Sequence, residues 1–168
     1  SDVGSGVDKV RYGNWGEPWT AWEGPSDNKW WTLPAGDGSK RVYYQVMDKA
    51  GSLSAQFYDE IVLDTTYPVV NIVHPTSGQC LSTAVIWVNG TVTELNRGTT
   101  PPQIRSTAFS LASWNSAMAT FAFKNNTAIP DGRLTLIVDF TDLAGNLGNA
   151  SVRFTLDTTN PVVNITYP

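Results

Sequence analysis

Ten residues, Leu63-Asp64-Thr65-Thr66-Tyr67-Pro68-Val69-Val70-Asn71-Ile72, return 93 positions later as Leu156-Asp157-Thr158-Thr159-Asn160-Pro161-Val162-Val163-Asn164-Ile165. A period of that length is too long for a helical solenoid and suits one small β-sandwich module of about 100 residues. The chain has 168 residues, short of two full periods, so it is organised as a piece of a string of modules.

The strand pattern agrees with that period. Val7–Tyr12 alternates apolar and polar side chains, and residues 40–48 are aromatic and β-branched, as strands require. Strands are also expected at Lys29–Leu33, Phe57–Leu63, Val69–Val73, Ala84–Thr93, Ile104–Leu111, Met118–Lys124 and Leu134–Asp142. Asp48-Lys49-Ala50-Gly51 reads as a turn, with Gly51 at positive φ and Asp48 accepting from amides ahead of it. Asp142-Leu143-Ala144-Gly145 answers it, and Asp131-Gly132 answers Asp37-Gly38. No stretch has helical periodicity, so the expected fold is all-β.

The division expected is a Trp-rich module at 1–67, a second module at 68–160, and 161–168 as the first strand of a following module or a donor strand. Before the shared Asp-Gly the second module has 63 residues and the first has 36. The first is therefore expected to lack its N-terminal strands. A surplus strand at one end and a deficit at the other raise a second organisation, an extracellular filament built by strand donation between copies.

Charge bounds the partners. Residues 1–67 carry ten acids and six bases, and 68–168 carry five of each, giving a net charge of −4. The bases are scattered singly, which argues against nucleic acid, whose phosphates call for clustered Lys and Arg. No segment approaches 18 apolar residues, so no membrane insertion is expected. Enzymatic readings fare poorly. The chain has one histidine, His74, and one cysteine, Cys80, too few for a His/Cys metal cluster, and no nucleophile elbow. His74, beside Pro75, is read as structural. Cys80 is expected as a small buried apolar residue at a strand start.

The series SGVDKVRYGNWGEPWTAWE, WTLPAGDGSKRVYYQVMDKAG and DEIVLDTTYP resembles the bacterial and archaeal Ig-like, fibronectin-III-like repeats of cell-surface and secreted proteins. The likeness covers residues 5–68 and, in the second module, mainly its tail. Ser52 stands where those repeats usually have Asn. The resemblance implies tandem Ig-like β-sandwich modules, extracellular or cell-surface placement, and a spacer, stalk or adhesive role without catalytic residues.

Three sets of candidate site residues follow. Five of seven tryptophans fall within 15–31; Trp15, Trp19 and Trp22 are candidates to stack on sugar rings, as a glycan-binding accessory module of a secreted enzyme or adhesin would need, against the alternative that they brace the core. Asp59, Asp64, Asp142 and Asp157 lie near module ends and are candidate calcium ligands, although Asp and Thr in the joint also cap turns without metal. Otherwise no cofactor is expected. Asn89, Asn125, Asn149 and Asn164 each begin an Asn-x-Ser/Thr sequon, as a glycoprotein would carry. The partners expected are neighbouring modules or copies of the same chain, and glycans.

Overall fold

In a computed structural model of the chain, residues 4–167 are described. They form two compact units, Ser1–Thr65 and Thr66–Pro168. Among the described residues there are strands and turns but no helix, so the protein is all-β.

The first unit is a single antiparallel sheet of β1 (Val7–Asn14), β2 (Gly38–Asp48) and β3 (Phe57–Leu63), in the order β1-β2-β3. Residues 20–23 run along the outer edge of β1. Val10 and Glu23 exchange backbone hydrogen bonds of 2.8 and 2.9 Å, and the Thr20 amide donates to the Tyr12 carbonyl. The expected strand at Lys29–Leu33 does not form. Side chains hold that stretch instead of a ladder: the Trp31 indole donates to Asn14 Oδ1 at 2.6 Å, and Asn14 Nδ2 donates to the Thr32 carbonyl at 3.2 Å.

The second unit is a two-sheet sandwich. One sheet has the order β5-β11-β10-β7, from β5 (Cys80–Leu81), β7 (Gln103–Ile104), β10 (Gly132–Thr141) and β11 (Leu147–Leu156). The other has the order β4-β6-β9-β8, from β4 (Val69–His74), β6 (Trp87–Thr93), β8 (Phe109–Asn115) and β9 (Thr120–Asn125). Alternate residues of both sheets point inward, as the period-2 pattern dictates. Val88, Val92, Phe121 and Phe123 from one sheet meet Leu136, Val138, Phe140, Val152, Phe154 and Leu156 from the other.

Two expectations change here. The strand expected over Ile104–Leu111 is broken. Gln103–Ile104 pairs with β10, and Phe109–Asn115 pairs with β9, so the chain changes sheets between them. Ser106 makes that corner: its carbonyl accepts from the Phe109 amide and its hydroxyl from the Ala108 amide. Cys80 is exposed, not buried. It lies in a two-residue edge strand paired parallel to β11, where Leu81 takes the inward place and packs on the core.

The repeat is built twice in detail. Gly38 pairs with Leu63 as Gly132 pairs with Leu156. Asp48 Oδ1 accepts from the Ala50 and Ser52 amides, and Asp142 Oδ1 accepts from those of Ala144 and Asn146. Gly51 and Gly145 both take positive φ, 84° and 93°, as these turns require. Asn146 Nδ2 also donates to Asp142 Oδ2 at 3.0 Å, and at the matching position the Ser52 side chain hydrogen-bonds the Asp48 carboxylate.

Candidate functional site

In the first unit the tryptophans are organised by two arginines on one face of the sheet. Arg11 of β1 lies between Trp19 and Trp22, 4.7 and 4.6 Å from their ring centroids, and its guanidinium donates to Gln45 Oε1. Arg41 of β2 lies 5.1 Å from Trp15 and 4.8 Å from Tyr58, and ion-pairs with Glu60 at 2.7 Å. That hydrogen bond holds the Glu60 carboxyl below its ordinary range. Each of these rings has a face engaged by a cation, which braces the strands. Of the three residues expected to stack on sugars, Trp15 is exposed, while Trp19 and Trp22 are half-buried.

Sequence reasoning passed over Trp30, which is 99% exposed. It borders an open groove of about 650 Å³ with Glu17, Trp19, Lys29 and Trp31. Asn14 forms the floor, donating to Glu17 and Thr32 and accepting from Trp31. Asn14→Ala removes all three bonds and leaves the Trp31 indole and the Thr32 carbonyl without this partner. The expected cost is about 1–3 kcal/mol, read by urea unfolding followed through tryptophan fluorescence.

In the second unit the acidic candidates are spread out. Asp142 and Asp157 flank opposite ends of β11. Asp157 is exposed, and its Oδ1 accepts from the Thr159 amide. In the first unit, Asp59 is exposed within β3 and Asp64 is half-buried just beyond it. Within the second unit, Asp142 meets Glu94, 48 positions earlier, which no local signal marked. Both are buried, at 7 and 8% exposure, with carboxylate oxygens within 4.8 Å. Burial pushes the Asp142 carboxyl up, but hydrogen bonds from Asn146 and Ala144 outweigh it and hold it below the ordinary range.

A third acidic residue ties the joint. Asp131 accepts from the Thr158 amide at 2.9 Å and from the Thr158 and Thr159 hydroxyls at 2.8 and 2.9 Å. In the first unit, Asp37 accepts from the Thr65 amide and hydroxyl, both at 2.8 Å. The Asp of each Asp-Gly turn thus clamps the first Thr of the following Asp-Thr-Thr-x-Pro joint.

Hydrogen bonds from Thr158 and Thr159 depress Asp131, and those from Ser52 and Ala50 depress Asp48. A carboxyl depressed on folding contributes stability that is complete above its unfolded value and lost as pH falls through the folded one. The unfolding midpoint should hold steady from pH 7 to 5 and fall once pH drops below about 4. Asp131→Asn should flatten that fall, as a pH series of thermal melts would record.

The sequons differ in setting. Asn89, Asn149 and Asn164 are exposed. The Asn125 amide accepts from the Ile86 amide and donates to the Ala84 and Thr127 carbonyls, so its side chain is committed to holding the start of β6.

No family model matches the chain, and no curated protein does. Among solved structures, the fibronectin(III)-like modules of CbhA from Clostridium thermocellum match at 12% identity. That match has a TM-score of 0.48 and covers 99% of this chain and 87% of that one. Extracellular cadherin domains 1–5 of protocadherin gamma B2 match at 13% identity and a TM-score of 0.37, over 71% of this chain and 25% of that one. At these scores neither likeness carries an argument about function.

Proposed function

We propose that the chain is a non-catalytic spacer or stalk segment: tandem Ig-like modules of a larger extracellular or cell-surface protein, the first represented by only part of its strands. The observation that supports this most is the clamp built twice, Asp37 on Thr65 and Asp131 on Thr158. It fixes the chain just past the end of each hairpin, and Pro68 and Pro161 then restrict the backbone beyond it. An array with a fixed exit at every joint is a semi-rigid rod, which suits projection of other domains from a surface.

The test is scattering from concatemers of residues 68–160 linked through their own Leu-Asp-Thr-Thr-Asn-Pro joint. A rod gives a maximum dimension that grows linearly with copy number. Growth as the square root of copy number is the behaviour of flexible linkers and sinks the reading.

Two finer proposals accompany it. Calcium, a hard cation that takes carboxylate oxygens, is proposed at Glu94 and Asp142, because two buried carboxylates this close repel unless a cation or proton intervenes. Millimolar calcium should then raise the melting temperature, and Asp142→Asn should remove the rise; no rise in the unaltered chain refutes it. Glycan contact is proposed at the Trp30 groove and Trp15, where rings remain open to solvent. Oligosaccharide arrays that bind the chain and not its Trp30→Ala form are the expected result.

A further inference from the structure

Two of the four sequons have an aromatic residue two positions before the asparagine: Trp87 before Asn89, and Phe123 before Asn125. Residues i and i+2 of a strand share a face about 7 Å apart, so a ring can reach what the second side chain carries. The fold treats the two pairs differently. Phe123 points into the sandwich core and is 2% exposed, and the Asn125 amide is committed to the start of β6. Trp87 and Asn89 point outward from β6, because Val88 between them and Val92 beyond them enter the core. Trp87 is 41% exposed and Asn89 is exposed, and no hydrogen bond engages the Asn89 side chain among the described residues.

That face has room beside the ring. Across the ladder Asn89 pairs with Ala122, which pairs in turn with Ser113, and Thr91 pairs with Thr120. These side chains are short, and Trp87 is the one large ring among them. Lys124, the cross-strand partner of Trp87, holds its ammonium 5.5 Å from the ring centroid and so restrains the indole. The middle residue of the sequon serves the other face: a Cβ on Gly90 would fall on the Asn71 carbonyl oxygen and the Phe121 ring.

The other two exposed sequons lack a ring. Leu147 precedes Asn149 and Val162 precedes Asn164 at the same spacing. Asn149 also pairs with Asp139, which is held by Arg105.

We propose that Asn89 carries an N-linked glycan whose first sugar lies against the Trp87 indole. The C–H face of a pyranose packs on the apolar ring while its hydroxyls stay in water. An unfolded chain does not hold ring and sugar side by side, so the contact favours the folded state. The proposal rests on the extracellular reading above, because chains receive such glycans on export. In the attachment step the Asn89 amide nitrogen bonds to the anomeric carbon of an oligosaccharide carried on a polyprenyl diphosphate. The bond from that carbon to the diphosphate oxygen breaks, the diphosphate leaves with the electron pair, and the amide nitrogen gives up one proton.

The test is secretion of the 168-residue chain from a host that attaches N-linked glycans through N-acetylglucosamine. Sites are mapped by mass spectrometry, and an endoglycosidase then trims each glycan to one sugar. Asn89 should be occupied, and the trimmed chain should melt about 3 °C or more above its Asn89→Gln form. Trp87→Ala and Trp87→Leu should each remove that difference, which makes the comparison a double-mutant cycle. The protons of the Asn89 sugar should shift upfield in NMR spectra through the ring current of Trp87, and return to ordinary values in Trp87→Leu. Bulk at Asn89 alone does not produce that signal. An Asn89 without glycan overturns the proposal, and so does a rise in melting temperature that persists in both Trp87 variants. The concatemers of residues 68–160, made without glycan, judge the stalk reading separately.

Discussion

Gly148→Ala should destabilise the second unit by about 3 kcal/mol or more, a fall of about 15 °C in its melting temperature. The reason is a crossing of backbones. A Cβ on Gly148 would fall on the Pro68 carbonyl oxygen, far inside van der Waals contact, and 2.8 Å from the carbonyl carbon. A clashing side chain can change rotamer, but here the obstacle is main chain beside a proline whose φ is fixed. Either β4 lifts from the sandwich, exposing Val70, or β11 bends and breaks its pairing with β10. Gly24→Ala is the control. Its Cβ meets nothing within 4 Å and the position has no positive φ, so it should shift stability by no more than about 0.5 kcal/mol. Urea unfolding by circular dichroism separates the two. A Gly148→Ala protein as stable as the parent would mean that β4 does not cross there.

The position of Gly148 shows what the sequence could and could not disclose. The decapeptide repeat, the long β-rich runs at 40–48 and 134–142, and the Asp-x-Ala-Gly turns were all legible, because each is set by residues adjacent in the chain. Asp48 and Gly51 behave as their types dictate. The contacts that join distant segments were not legible. Glu94 meets Asp142 only because β6 and β10 belong to facing sheets that bring their ends together. The Lys29–Leu33 stretch has strand-like composition, yet Asn14 captures it through side-chain bonds that no propensity encodes. Cys80 was misplaced because a two-residue parallel strand leaves no pattern from which its inward residue can be chosen. The Trp cluster was visible as composition, but its pairing with Arg11 and Arg41 depends on β1 and β2 lying side by side.

Phe154→Ala and Ile61→Ala should have opposite outcomes although the two residues occupy the same place in the repeat. Phe154 pairs with Leu134, and Ile61 pairs with Lys40, at matching steps from the Gly-Leu pair that opens each hairpin. Phe154 is 1% exposed inside the sandwich. Its loss removes a buried ring and leaves a cavity between two sheets, at a cost of about 3–5 kcal/mol. Ile61 is 54% exposed on an open face of the first sheet, so truncating it should cost the isolated chain less than about 1 kcal/mol. Urea midpoints measured at low protein concentration read both values. Equal, large losses of dilute stability for both variants would show that Ile61 is already buried within the single chain, and the open face would then be closed from inside the molecule.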